Sequence, residues 1–384
     1  MQEPDHSRLV VIGGGPAGYT AALYAARAGL EPICIEGFEA GGQIAKSARV
    51  ENFPGAPGIT GADLSWRIRE QAEEFGTRIV VDDVIDVDFS RRPFVVVAAG
   101  GLFTGDAVIV ATGSKPRSLG LAGENDLVGR GVAYCAICDG AFYEGQDVAV
   151  VGGGNAALSE ALQLARIAAK VTLVHRRWQF RAESIVEDAV RNEDRIDIVL
   201  PTVVDELVTD ETECLSAVTL RHLTTGDRVR LDVHGLFVAV GHEPASALFA
   251  PYLRTHSGHI VTTPGGTATS VQGVFAAGDV VDARYRQAIT AAASGCMAAL
   301  DAERWLSTSE AADAAAEGGL TSGGSDDFVT DDPAPHDPAQ HDPAVDDPVT
   351  HGVPGQRTST PDHSDPESAA VPAPRPVPSQ ETRC

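Results

Sequence analysis

Six cysteines punctuate the 384-residue chain, and one pair, Cys135 and Cys138 in RGVAYCAICDGAFYEG, is close in sequence. Two intervening residues put both sulfurs within disulfide range when the segment begins a helix, a setting that also favours the thiolate. The pair reads as redox-active before it reads as a staple, because the opening MQEPDHSRLVVIGGG has no charged n-region, apolar h-region or cleavage site and the chain is expected in the cytoplasm. Zinc would need four ligands, and neither a second CxxC nor an HxxxH partner is present, so no metal is expected. An inert pair of core thiols is the plain alternative. Asp139 directly follows the second cysteine. There it could move a proton to or from a nascent thiolate, as thiol–disulfide exchange requires, or simply serve as a helix cap or turn acid.

Two segments are built to hold nucleotides. RLVVIGGGPAGYTAALYAARAG (Arg8 to Gly29) and DVAVVGGGNAALSEALQLARIAA (Asp147 to Ala169) each read as strand, glycine turn and alanine-rich helix, about 139 residues apart. In the first, Gly13, Gly15 and Gly18 form GxGxxG: one glycine for the tight turn, one for close approach to a pyrophosphate, one for helix packing. The following strand ends at Glu36, 21 residues after Gly15, where an acid accepts hydrogen bonds from free ribose hydroxyls, as in the adenosine of FAD or NAD. In the second unit Gly152 and Gly154 precede Ala157, and the position 21 residues after Gly154 is His175, opening HRRWQFR. The acid is missing there, and Arg176, Arg177 and Arg181 suit a 2′-phosphate, so this turn is expected to prefer NADPH. A solvated basic loop is the bland alternative.

The second unit and the strand-like GLFVAVG follow PFVVVAA and DAVIVATG, and VFAAGDVV comes later. One domain inserted into another, crossing at TGSKPR (112–117) and GHEPAS (241–246), is the simplest arrangement. After about residue 306 apolar periodicity gives way to an Asp/Pro-rich stretch with roughly half of the 23 prolines, whose composition predicts disorder. The formal charge of −25 opposes nucleic acid and anionic lipid, and no apolar run is long enough for a membrane helix. Lysine is confined to Lys46, Lys115 and Lys170, which fits either a salty cytoplasm or a GC-rich genome. Cys34, Cys214 and Cys296 read as structural, and Cys384 as a solvated bystander.

These residues closely resemble the bacterial-type, low-molecular-weight NADPH-dependent thioredoxin reductases. The likeness runs from about residue 8 to 306 through GGGPAGYTAALYAARA, GGQ, VENFPG, ATGS, CAICDG, GGGNAALSEAL, HRRxxxR, GLFVAVGHEP and GVFAAGDVVDARYRQAITAAASG. It implies an α/β fold with two Rossmann-like dinucleotide-binding domains: an FAD domain from residues 1–116 and 246–306, an inserted NADPH domain at 117–245, and a disordered acidic tail at 307–384. By matching position, FAD would be held by Gly13, Gly15, Pro16, Ala17 and Gly18 in the first turn, and by Glu36, Gly42, Gln43, Asn52 and Val84. Ala111, Thr112 and Gly113, then Asp279, Arg286, Gln287 and Ala288, complete that set. NADPH would be held by Gly152, Gly154, Asn155, Ala156, His175, Arg176, Arg177, Arg181 and Gly241. The resemblance further implies a homodimer. It makes Cys138 the sulfur facing the flavin and Cys135 the one that attacks the disulfide of thioredoxin or a thioredoxin-like protein, with the inserted domain rotating about the two crossings.

The rival readings are separable. A peroxiredoxin-reducing relative would carry an extra N-terminal redox domain. A dithiol oxidase would have no use for the arginines, and a non-catalytic redox sensor would not need every electron-transfer element.

Overall fold

A computed structural model describes residues 4–318. Its first sheet begins with β1 (Asp5–Ile12), followed by α1 (Pro16–Arg27), β2 (Ile33–Ile35), α2 (Gly61–Glu74), β3 (Arg78–Val80), β4 (Val84–Asp88), β5 (Phe94–Ala98) and β6 (Gly101–Val110). The strand order is β3-β2-β1-β6-β5-β4, parallel from β3 to β6 and antiparallel from β6 to β4. Leu9, Val10 and Val11 are all fully buried, because both faces of β1 are covered, and this is why the strand reads as an unbroken apolar run. Small residues of α1 and the C-terminal helix pack on one face, and Phe89, Phe94 and Phe249 on the other.

The chain then leaves through β7 (Ser114–Pro116) into a second sheet. This contains β8 (Val132–Ala133), the short helix α3 (Ala136–Asp139), β9 (Asp147–Val151), α4 (Asn155–Leu164), β10 (Lys170–Val174), α5 (Ser184–Arg191) and β11 (Ile196–Val199). An antiparallel trio, β12 (Thr202–Thr209), β13 (Leu215–His222) and β14 (Arg228–Asp232), precedes β15 (Gly235–Val238). The order β11-β10-β9-β15-β8 is wholly parallel. Leu158, Ala161 and Leu164 of α4 cover one face, and Val204, Val218 and Leu220 of the trio cover the other.

The return crossing is β16 (His242–Pro244), which pairs antiparallel with β7 in the register His242 with Pro116 and Pro244 with Ser114. The two segments expected as linkers therefore form one small ribbon. A hairpin of β17 (Thr255–His256) and β18 (His259–Ile260) follows, and β19 (Val274–Ala276) rejoins the first sheet beside β6. The long helix α6 (Ala288–Gly318) ends the described chain. It carries on past residue 306, where the sequence pattern predicts its end, because the run that follows is rich in alanine, the strongest helix former. Arg8 also pairs with Glu310 on this extension. The expectation of disorder otherwise falls on residues 319–384, Cys384 among them, outside those described.

Candidate active site: two glycine turns and a disulfide

The first glycine turn is dictated by space. Gly13 has φ +119°, and a Cβ there would lie 2.3 Å from the Ala111 carbonyl oxygen; at Gly18 it would lie 1.8 Å from the oxygen of Gly13. Gly15 differs. Its φ of −107° suits any residue, and a Cβ would meet nothing nearer than the Gly42 Cα at 3.9 Å. No protein contact demands glycine there, so the bare backbone is a cradle left for a ligand, as the pyrophosphate of FAD requires. Pro16 and Ala17 begin α1 at the lip of that cradle, and the Gly41 N–H donates to the Gly14 oxygen (2.7 Å), fixing Gly42 and Gln43 beside it.

Glu36 ends β2 as expected, but it is buried and already engaged. Tyr19 Oη donates to it at 2.6 Å and Arg69 Nε at 2.9 Å. Burial and Glu36 together push the Tyr19 phenol far up, so it stays a donor. The carboxylate is thereby oriented, and Oε1, which accepts only a long bond from Arg69 Nη2 at 3.5 Å, keeps a lone pair for a ribose. Val84 opens β4 next to Asp83, whose carboxylate accepts the Phe38 N–H at 3.0 Å, which places it by the loop after β2. Ala111, Thr112 and Gly113 follow β6 at the same sheet end. Thr112 Oγ1 donates to the Ala245 oxygen at 2.7 Å, tying the cradle to the return crossing. Asp279 lies just after β19, and burial, reinforced by Asp282, pushes its carboxyl up to about 6.

Arg286 adopts φ +48°, in a loop that Asp282 organises by accepting the N–H groups of Arg284, Tyr285 and Arg286 at 2.8 to 3.0 Å. Beyond it, Gln287 Oε1 accepts from Asn52 Nδ2 at 3.3 Å, and Ala288 opens α6. Gln287 meets the cysteine pair: Cys138 Sγ is 4.0 Å from both its side-chain oxygen and its nitrogen. Cys135 and Cys138 form a disulfide across 5.3 Å between Cα atoms. Cys135 caps α3, its sulfur accepting the Cys138 N–H at 3.1 Å. The structure thus brings Cys138, Gln287 and Asn52 together from three distant parts of the chain.

Asp139 makes no side-chain cap hydrogen bond, so the capping role falls away. Burial pushes its carboxyl up to about 6, into the range useful for proton transfer. Two groups here escaped the sequence reading. Glu160 on α4 faces the Ala136 N–H and Arg286, its Oε2 is buried without a hydrogen-bond partner among the described residues, and burial pushes its carboxyl up to about 7. His242 of β16 lies against the Arg286 guanidinium. Burial, then Arg286 and His259, drive it down to about 4, so its ring is neutral and Nδ1 accepts. Nothing local marks either residue, because their main partners, Ala136 and Arg286 for Glu160 and Arg286 for His242, lie far away in sequence. Cys34 is buried and Cys296 half-buried, both as free thiols, and Cys214 is buried at the foot of β13.

The second turn repeats the logic. At Gly152 a Cβ would meet Ala157 at 2.4 Å and the Ala239 oxygen at 2.5 Å, while at Gly154 it would meet nothing within 4 Å. Gly154→Ala therefore leaves thermal stability unchanged but raises KM for NADPH about tenfold, the order lost when close backbone bonds to a phosphate are stretched. Steady-state kinetics beside a melting curve check this, and an unchanged KM means the turn holds no pyrophosphate. The loop after β10 folds back over the turn. Arg181 N–H donates to the Gly153 oxygen at 2.7 Å, and Asn155 exchanges hydrogen bonds with Glu183 at 2.7 and 2.9 Å. Asn155 is thus occupied, Ala156 is exposed, and Gly241 sits in the return crossing, its oxygen accepting from Arg117. His175 fills the space a Gly153 side chain would take, 2.2 Å from the ideal Cβ, and stacks on Phe180. Burial lowers its pKa, and the nearby charges of Arg181, Arg177 and Arg176 lower it further. All three arginines are exposed and close enough for their charges to act on His175, so guanidinium charge flanks the turn.

A family model described as pyridine nucleotide-disulphide oxidoreductase matches residues 7–295. The thioredoxin reductase of Vibrio cholerae is 49% identical over 316 residues, covering 80% of this chain and 98% of that protein. A Pseudomonas fluorescens protein named glucosaminate ammonia-lyase is 48% identical over 314 residues, covering 80% and 98%. The solved thioredoxin reductase from Giardia duodenalis superposes with a TM-score of 0.75 at 42% identity, covering 79% of this chain and 99% of that one. With a disulfide lodged between two nucleotide turns, this chain belongs to the low-molecular-weight thioredoxin reductases, a branch of the pyridine nucleotide-disulphide oxidoreductases.

Proposed function

We propose that this protein reduces the disulfide of thioredoxin or a thioredoxin-like protein with electrons from NADPH. The observation that carries the reading is the seat of the Cys135/Cys138 disulfide, attached to the sheet of the arginine-flanked turn yet touching Gln287 beside the other. The cradle at Gly15 and the oriented Glu36 fit FAD, and the cradle at Gly154 with its arginines fits NADPH. When bound, FAD supplies the two-electron exchange between NADPH and the disulfide.

The chain's own residues perform the rest. Cys138, nearer Gln287, is the sulfur placed to receive the electron pair as the S–S bond breaks. Asp139 moves protons at the nascent thiols. The Cys135 thiolate then attacks one sulfur of the partner disulfide, forming a mixed disulfide and expelling the partner's other sulfur as a thiol. Cys138 attacks Cys135 Sγ in turn, which releases the second thiol and restores the disulfide. For Cys135 to meet a protein, the part from Arg117 to Gly241 turns about the β7/β16 ribbon. We further propose a cytoplasmic homodimer, supported by Ile289, Met297 and Leu300, which are exposed at helical spacing on α6.

Asp139→Asn lowers turnover about a hundredfold while FAD is retained, the size of one proton-transfer contribution. The wild type carries an inflection near pH 6, below which Asp139 is protonated and able to donate, and the variant lacks it. Turnover within twofold of wild type with the same inflection refutes the role.

The reading itself is tested by mixing purified protein, NADPH and oxidised thioredoxin and counting free thiols against NADPH consumed. One dithiol per NADPH is expected. NADPH consumed with oxygen and no thiol release makes it an oxidase, and ammonia released from glucosaminate without thiols makes it a lyase.

A further inference from the structure

Trp178 takes no part in the reactions described, yet it occupies a particular place. It is 64% exposed, in the loop that runs from the end of β10 to Glu183. Both ends of that loop are pinned. His175 N–H donates to the Val199 oxygen at 3.2 Å, and Arg181 N–H donates to the Gly153 oxygen at 2.7 Å. Phe180 is buried against the His175 ring, centroids 5.5 Å apart. With Phe180 turned inward, Trp178 is left on the outside, one residue beyond Arg177.

The indole does not hang free. His222, at the end of β13, meets it edge to face, with centroids 6.2 Å apart and planes at 73°. Such a contact orients a ring without covering it. A lone exposed aromatic is ordinary on a protein surface. This one is steadied from one side, bare on the rest, and adjoins a cluster of three exposed guanidiniums.

We propose that Trp178 is the platform on which the adenine of NADPH stacks. The inference rests on the reading of this turn as the NADPH site, and it follows from the covalent structure of the ligand. The ribose that carries the 2′-phosphate also carries the adenine. When Arg176, Arg177 and Arg181 hold that phosphate, the base lies one sugar away, within reach of the neighbouring indole. Flat aromatic surfaces bind bases whatever their hydrogen-bonding edge, and a base sandwiched against Trp178 gains from the adjacent guanidinium planes. Because adenine is common to NADPH and NADH, Trp178 strengthens the binding of both, whereas the arginines set the choice between them.

The probe is adenosine 2′,5′-bisphosphate, which carries the adenine and the 2′-phosphate but no nicotinamide. Calorimetric titration of the FAD-loaded enzyme is expected to show roughly tenfold weaker binding for Trp178→Ala, with Trp178→Phe close to wild type. In steady state Trp178→Ala raises KM for NADPH and for NADH by similar factors, with kcat and KM for thioredoxin unchanged. The bisphosphate quenches tryptophan fluorescence in the wild type, and Trp178→Phe loses that quenching. If the wild type binds the bisphosphate and Trp178→Ala binds it equally well, the platform is refuted while the NADPH site stands. A Phe variant as weak as the Ala variant also refutes stacking. If Trp178→Ala changes KM for thioredoxin alone, the indole is a protein contact. Failure of the wild type to bind the bisphosphate at all removes the NADPH reading itself.

Discussion

Cys138→Ser loses thioredoxin-disulfide reduction by at least about four orders of magnitude, the scale on which deletion of a covalent nucleophile is felt. Cys138 is the half of the pair lying against Gln287, and a hydroxyl there can neither hold a disulfide nor expel a mixed one. The fold has no reason to suffer, because the contacts of α3 that survive are the Asp139 N–H to the Cys135 oxygen at 3.1 Å and the burial of Ala136. FAD content and NADPH binding are therefore expected to match wild type. The variant separates the two sulfurs in a second way. Cys135 remains able to attack, and without its neighbour the covalent adduct with thioredoxin cannot resolve forward and reverts only through the partner's own freed thiol. Mass spectrometry under non-reducing conditions is expected to show a one-to-one adduct through Cys135. An adduct that instead appears with Cys135→Ser and not with Cys138→Ser would exchange the roles of the two cysteines.

The double variant Arg176→Ala, Arg177→Ala has the next largest effect. Charge-assisted bonds from a guanidinium to a phosphate are each worth about 1.5 to 3 kcal/mol, so with two removed kcat/KM for NADPH falls roughly 10²- to 10⁴-fold. The value for NADH, which has no 2′-phosphate, stays within about twofold, and the preference for NADPH collapses. These side chains are exposed and make no ion pair with a described residue, so nothing in the protein is left unsatisfied by their removal. For the same reason the wild-type advantage is screened by salt, and the ratio of the two kcat/KM values narrows from low to high ionic strength. A ratio that survives the double substitution would return the HRR segment to the status of a solvated loop.

How far the chain discloses itself can be argued from particular residues. Gly13 and Gly18 are legible because a tight turn and a helix pressed on a strand admit no Cβ, and such steric demands are written locally. Cys135 and Cys138 are legible because three residues of helix fix the distance between their sulfurs. The crossings at 112–117 and 241–246 announce themselves by glycine and proline, but their pairing as β7 and β16 does not, since it joins residues over a hundred positions apart. The same holds for the engagement of Glu36 by Tyr19 and Arg69 and for Glu160 facing Arg286. Each depends on which surfaces the packed elements bring together. The trio β12–β14 went unread because its alternating, half-exposed residues carry no chemistry. The reach of α6 to Gly318 was hidden because alanine sustains a helix without the apolar stripe that marks a buried one.

The small ribbon of β7 and β16 has a mechanical consequence. Two separate tethers would let the inserted part slide, tilt and wander. Two that are hydrogen-bonded side by side resist stretching and shear but yield to twist, as a short strap does. If the inserted part turns as proposed, the ribbon would funnel that motion into a single swivel, with the sulfurs presented to the flavin pocket at one end of the travel and the dinucleotide at the other. A disulfide stapling β7 to β16 would leave that swivel free, whereas a covalent brace from the Cys138 side to Gln287 would stop it.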